Sequence, residues 1–169
     1  MDKAFAVRTQ EEMREVLMDP NAVGPDVHYF MMRGGSEKKN ITVWQSGLVG
    51  EEYIKTYGHY HVIDFIETYT VLAGEGIILL QKRKQDSAGL PMDDEVESVK
   101  AIFVKAGSVV PIPERDGHLA VNIGESWFVT SDDSPVDLRK IKETAWPTHA
   151  DYAPVKKMQG FAYYVVKKD

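Results

Sequence analysis

The chain has 169 residues, 43% of them hydrophobic and 27% charged, a net charge of −6 and no cysteine. That balance belongs to a folded globule of one-domain size, and its acidic surface argues against non-specific binding to nucleic acid or an anionic membrane. Without cysteine there is no disulfide, thiolate zinc site, iron–sulfur cluster or thiol nucleophile, so any metal must be held by His, Asp or Glu.

No apolar run approaches the ~20 residues of a membrane span. The N-terminal residues MDKAFAVRTQEEM lack the apolar core of a signal peptide, so the expected compartment is the cytoplasm. Thr9 and Glu12 form a T-x-x-E capping box. Met13, Val16 and Leu17 follow on one helical face, and Pro20-Asn21 ends the run, which predicts a short helix at about 10–18. Beyond it the pattern changes to runs rich in Val, Ile, Tyr, Phe, Trp and Thr. Strands are expected at 28–33, 40–46, 52–57, 65–72, 76–84, 99–105, 108–112, 118–123, 126–130 and 161–167. Turn signals separate them at Gly34-Gly35, Gly74-Glu75-Gly76, Ala106-Gly107 and Ile123-Gly124. Residues 85–97 read as a long polar hairpin loop, and 132–151 as an acidic, proline-bearing insertion with a helical turn at 138–144. Closely spaced short strands point to an all-β sandwich or barrel rather than βαβ units. The expected organisation is one domain: a helical segment at 1–26, a barrel core at 27–131, and a loop insertion with a final strand at 132–169.

Of the five histidines, His59 and His61 stand at i and i+2, which on a strand share a face. Glu67 follows six residues later, again an even separation. A second block runs from Gly107 through Pro111 and Pro113 to His118 and Asn122. Three histidines and a glutamate make an N/O ligand set suited to one divalent ion, with Fe²⁺, Mn²⁺, Ni²⁺ and Zn²⁺ all compatible. Four ligands on an octahedral ion leave two positions for substrate or water.

The blocks resemble the paired motifs of the cupin superfamily: H-x-H with Glu67-x6-Gly74, then G-x5-P from Gly107 to Pro113 with H-x3-N from His118 to Asn122. The gap between His61 and Glu67 is wider than in the general pattern. The longer runs Thr42–His61, Glu67–Gln81 and Val109–Gly124 are similar to the cupin-type glucose-6-phosphate isomerases of archaea and some bacteria. The resemblance implies a cupin double-stranded β-helix, or jelly-roll barrel, with a short N-terminal helix. It implies a metal, iron first, on His59, His61, Glu67 and His118, and interconversion of glucose 6-phosphate and fructose 6-phosphate in glycolysis and gluconeogenesis. A carbonyl must then be polarised and a hydrogen moved between C1 and C2. Glu67 is the expected proton carrier in an enediol route, with Tyr69 beside it on the same face. A metal-assisted hydride shift needs no base, and both routes stay open. Family positions place the phosphate near Thr42, Thr56 and Gly58, with Tyr29 and Tyr152 as further candidates. Lys55 and Arg33 read as surface charges, His28 as structural, and His149 as a residue of the pocket mouth. Family members are commonly homodimers. The competing readings are another metal-dependent cupin enzyme, of dioxygenase or decarboxylase type, and a non-catalytic sugar-binding cupin.

Overall fold

The chain's computed structural model describes residues 5–34, 39–61, 65–134 and 167. The expected all-β architecture is present. Eleven strands are assigned among the described residues: β1 (Phe5–Thr9), β2 (Val27–Met32), β3 (Asn40–Trp44), β4 (Leu48–Val49), β5 (Glu52–Tyr53), β6 (Glu67–Ala73), β7 (Glu75–Gln85), β8 (Pro91–Lys105), β9 (Val109–Ile112), β10 (Gly117–Asn122) and β11 (Phe128–Asp132).

The N-terminal segment opens with β1, a strand the sequence did not announce, and then turns into helix α1 (Gln10–Met13). The capping box forms: Glu12 N donates to Thr9 Oγ1 at 3.3 Å, and Thr9 N donates to the Glu12 carboxylate at 2.9 Å. The helix is shorter than the expected 10–18. It tightens into a 3₁₀ turn at Arg14–Val16, and Leu17 is extended. The reason is tertiary, because Met18 N donates to the Glu52 carboxylate at 2.9 Å instead of continuing the helical ladder.

Two antiparallel sheets face each other. The larger has the order β1-β2-β3-β11-β6-β9 and the smaller β10-β7-β8. Their inner faces share one core, with Tyr29, Trp44, Val71, Ile112 and Phe128 meeting Ile78, Leu80, Val104 and Ala120. This is the jelly-roll arrangement, in which alternate residues of each strand point inward. In the larger sheet Trp44 pairs with Phe128, Thr42 with Thr130, and Asn40 with Asp132, so three inward rows run toward one end of the barrel.

The expected loop at 85–97 is mostly strand. Its turn occupies only 86–90, where Asp86 Oδ1 accepts from Ala88 N and Leu90 N at 2.8 and 2.9 Å. β8 resumes at Pro91, a strand start where the missing N–H costs least. The polar composition that suggested a loop instead supplies cross-strand ion pairs, Lys82–Glu97 at 2.9 Å and Lys84–Glu95 at 2.7 Å. The expected strand at 126–130 begins and ends two residues later, as β11. The 138–144 turn and all of the 161–167 strand except Lys167 lie outside the described residues.

Candidate metal centre

Three separate parts of the chain bring the four expected ligands together. Residues 55–59 run antiparallel to β10, with bridges Lys55–Val121 and His59–His118. Between these bridges the register slips by one residue. Gly58 takes it up in the left-handed region at φ +81, and a Cβ there would sit 3.1 Å from Leu119 Cβ. A regular strand would put His59 on the face opposite Thr56 and Gly58, and the slip removes that conflict. His118 comes from β10, all six residues of which are buried. Glu67 is the first residue of β6, paired with Ile112.

The ligand atoms of His59, His61, Glu67 and His118 all lie within 4.8 Å of one another. The His59 ring is 4.4 Å from that of His118 and 5.1 Å from that of His61, centre to centre. One carboxylate oxygen, Glu67 Oε2, lies 2.8 Å from His61 Nε2 and 3.1 Å from His118 Nε2. Both imidazole nitrogens thus converge on one buried carboxylate oxygen. Buried imidazole nitrogens converging on one carboxylate oxygen fit the ligands of a cation. The set offers nitrogen and oxygen donors and one negative charge, which suits a borderline divalent ion rather than a soft one.

Electrostatics separates two carboxyl groups at this end of the barrel. Burial alone would raise Glu67, but His118 and His61 stabilise its anion and bring it down to about 2. Asp132 moves the other way. Burial first and then the Glu67 charge push it up to about 7, against the hydrogen bonds from Asn40 and Ser134. Glu67 holds the charge because imidazoles flank it, so the mutual repulsion falls on Asp132. Sequence reasoning missed Asp132 by ending the strand at Thr130. The signal available was alternation, since Phe128, Thr130 and Asp132 share one face.

The other expected residues divide. Tyr69 is inward and its ring lies 5.6 Å from that of His118. Thr42 is buried opposite Thr130. Thr56 Oγ1 accepts from Ala120 N at 2.9 Å, which leaves its own O–H to donate. Tyr29 is deeper: its ring is 6.1 Å from that of Trp44 and its hydroxyl accepts from Tyr57 N at 3.3 Å. Tyr152 and His149 lie outside the described residues. Lys55 and Arg33 are not surface charges. Both are buried, and Lys55 is paired with the buried Glu52 under the N-terminal segment. His28 is fully buried, with Nε2 2.6 Å from Gln10 Oε1, away from the cluster.

Residues 31–169 match the family model described as glucose-6-phosphate isomerase. A glucose-6-phosphate isomerase from Thermococcus gammatolerans is 30% identical over 159 residues, covering 92% of this chain and 72% of that protein. One from Pyrococcus furiosus is 36% identical over 89 residues, 52% of this chain and 41% of that protein. Several of these matches thus span only about half of the relative, as with 56% of the Thermococcus onnurineus protein. Among solved structures, an oxalate decarboxylase from Lactobacillus farciminis overlaps 56% of this chain and 22% of its own, with a TM-score of 0.39 and 21% identity.

Proposed function

The chain belongs to the glucose-6-phosphate isomerase family, and from that premise we propose that it interconverts glucose 6-phosphate and fructose 6-phosphate in glycolysis and gluconeogenesis. The observation that carries the reading is the convergence of three imidazoles and one carboxylate within 4.8 Å at one end of the barrel, in a chain of this family. His59, His61, Glu67 and His118 would hold one divalent ion, iron first among the candidates, which supplies Lewis-acid polarisation of a sugar carbonyl.

The chain's own residues do the rest. The surrounding strands bury Glu67 and His118, so dipoles and charges act there with less screening than in water. Glu67 is the group placed to carry a proton between C1 and C2 in an enediol route. In a hydride-shift route it serves only as a ligand. Tyr69, on the same inward face, is positioned to donate to a sugar oxygen. The O–H of Thr56, with Thr42 and the backbone at Gly58, supplies donors for the phosphate, and glycine lets that backbone approach closely. Tyr29 and Tyr152 complete the proposed phosphate-binding group. We assign the working form to a cytoplasmic homodimer.

The test is a coupled assay on purified protein. Isomerisation of either sugar phosphate should disappear with EDTA and return with Fe²⁺ or Mn²⁺; a metal-loaded protein that converts neither sugar defeats the reading. Running the reaction in D₂O separates the two routes, because deuterium enters the product through an enediol and stays out in a hydride shift.

A further inference from the structure

The two histidines of the H-x-H pair are separated by Tyr60, and alternation turns its side chain away from the face the histidines share. That side chain meets the outer face of the smaller sheet. On β7, Leu80 packs into the core, whereas Leu79 joins a second cluster on the other side of the sheet, with Ile77, Leu119 and Val121. Gln81 continues this outer row, paired with Gly117 at the start of β10. The Tyr60 ring lies against Gly117: a Cβ built there would stand 2.6 Å from ring atoms Cε1 and Cζ. No side chain fits in that space, and glycine in a strand often marks such a close approach. The Tyr60 hydroxyl accepts a hydrogen bond from Gln81 Nε2, and Gln81 is 2% exposed. The Arg83 guanidinium, two residues further along β7, stands 4.0 Å from the ring centre, within cation–π range.

These contacts join the two segments that carry the histidines. Gly117 directly precedes His118, and Tyr60 directly follows His59. His59 and His118 exchange both backbone hydrogen bonds, at 3.1 and 2.9 Å, so the main chain registers that pair. Tyr60 adds a side-chain lock one residue further on, toward His61. The lock is directional, because the Gln81 amide is buried and a displaced ring would leave its donor without an acceptor. We propose that Tyr60 is a positioning residue: seated on Gly117 and tethered to Gln81, it holds the His59–His61 segment against β10 so that both imidazoles face His118. It acts through the backbone, from the side of the sheet opposite the cluster. The inference rests on the metal-centre reading above.

A double-mutant cycle tests it. Wild type, Tyr60→Ala, Gly117→Ala and the double variant are each loaded with Co²⁺ and followed by calorimetry and by the visible Co²⁺ spectrum, with thermal denaturation to check folding. Tyr60→Ala removes the ring and the tether, and should bind Co²⁺ about tenfold more weakly or worse, with a shifted spectrum. Gly117→Ala puts a methyl group where the ring sits and should displace it, with a loss and a spectral shift in the same direction. In the double variant the ring is gone and the methyl group has room, so it should bind no more weakly than Tyr60→Ala alone. Tyr60→Phe keeps the ring on its seat and should recover most of the affinity. If Tyr60→Ala does not fold, Gly117→Ala and Tyr60→Phe carry the comparison. A wild-type spectrum in Tyr60→Ala, or in Gly117→Ala where that variant stands in, overturns the inference. So do losses that simply add in the double variant, because Gly117 would then matter for a reason other than the ring. Failure of the wild-type chain to bind Co²⁺ at all, or binding unaffected by His118→Ala, sinks the metal-centre reading instead.

Discussion

The two ends of the barrel are lined by the same strands and differ in chemistry. At one end Trp44, Phe128 and Tyr29 pack with tilted rings, the Trp44 and Phe128 ring centres 5.1 Å apart. Four residues along their strands, β3 reaches Asn40 and β11 reaches Asp132, while β6 runs from Val71, beside Thr130, to Glu67. The middle row, Thr42 with Thr130, is intermediate in polarity as well as position. Burial is nearly complete at both ends, so exposure does not separate them. What differs is what must be satisfied. The aromatic end is held chiefly by shape, because dispersion and area removal act without direction, and the Tyr29 hydroxyl adds one directed hydrogen bond. The polar end needs each donor matched to an acceptor, because an unpaired buried group costs about 1–3 kcal/mol. Stability should therefore reside at the first end, and chemistry at the second.

The largest effect should come from His118→Ala. Activity should fall by about 10³-fold, the several kcal/mol that a bound Lewis acid contributes, while the thermal midpoint of the metal-free protein shifts little. If that variant unfolds, the polar end is structural and the division fails. At the other end, Trp44→Ala should lower stability by about 3–5 kcal/mol in urea titrations. The fraction still folded should keep its turnover number; a selective loss of turnover would mean that the two ends are not separable.

Gly58→Ala lies on the boundary. It forces a side chain into a left-handed backbone and against Leu119, at a cost of about 1–3 kcal/mol. It should weaken metal and lower stability together, which equilibrium unfolding and metal titration on one sample would reveal. The smallest effect concerns His28, a buried histidine outside the cluster. Burial, and then the Lys55 charge, lower it to about 4 from its ordinary 6.5. The unfolded chain therefore takes up a proton before the folded chain does. The stabilisation is complete above about pH 6.5 and is lost as pH falls toward 4, by roughly 1–2 kcal/mol. Subtracting the stability–pH curve of His28→Gln from that of wild type should leave this step; a difference that does not vary with pH between 7 and 4 contradicts it.

How much of this was legible differs by element. His59 and His61 could be read because a period of two puts them on one face, and His118 and Glu67 because the motif blocks surround them. Asp132 was hidden by its neighbours: Asp132-Asp133-Ser134-Pro135 reads as the start of a loop, and nothing local shows that pairing with Asn40 carries β11 two residues further. The outer half of the β7–β8 hairpin was hidden for the opposite reason. A ribbon with water on both sides needs no apolar alternation, so cross-strand charge pairs replace the pattern that strand reading depends on. The helix at 10–18 was overestimated because Glu52, 34 residues away from Met18, captures the backbone N–H that another helical turn would have used.

The one-residue slip at Gly58 makes the spacing of this segment matter as much as its composition. Side chains on a strand alternate, so parity decides which face each occupies. If the register set by Lys55 and Val121 ran on without interruption, His59 would fall opposite Gly117 instead of His118, and both imidazoles would turn away from Glu67. No amino acid in the cluster would have changed. In a library of variants, substitutions at Gly58, where the slip is made, should therefore weaken metal binding more than most others between Lys55 and His59, whereas the tip of the β7–β8 hairpin should absorb changes in length.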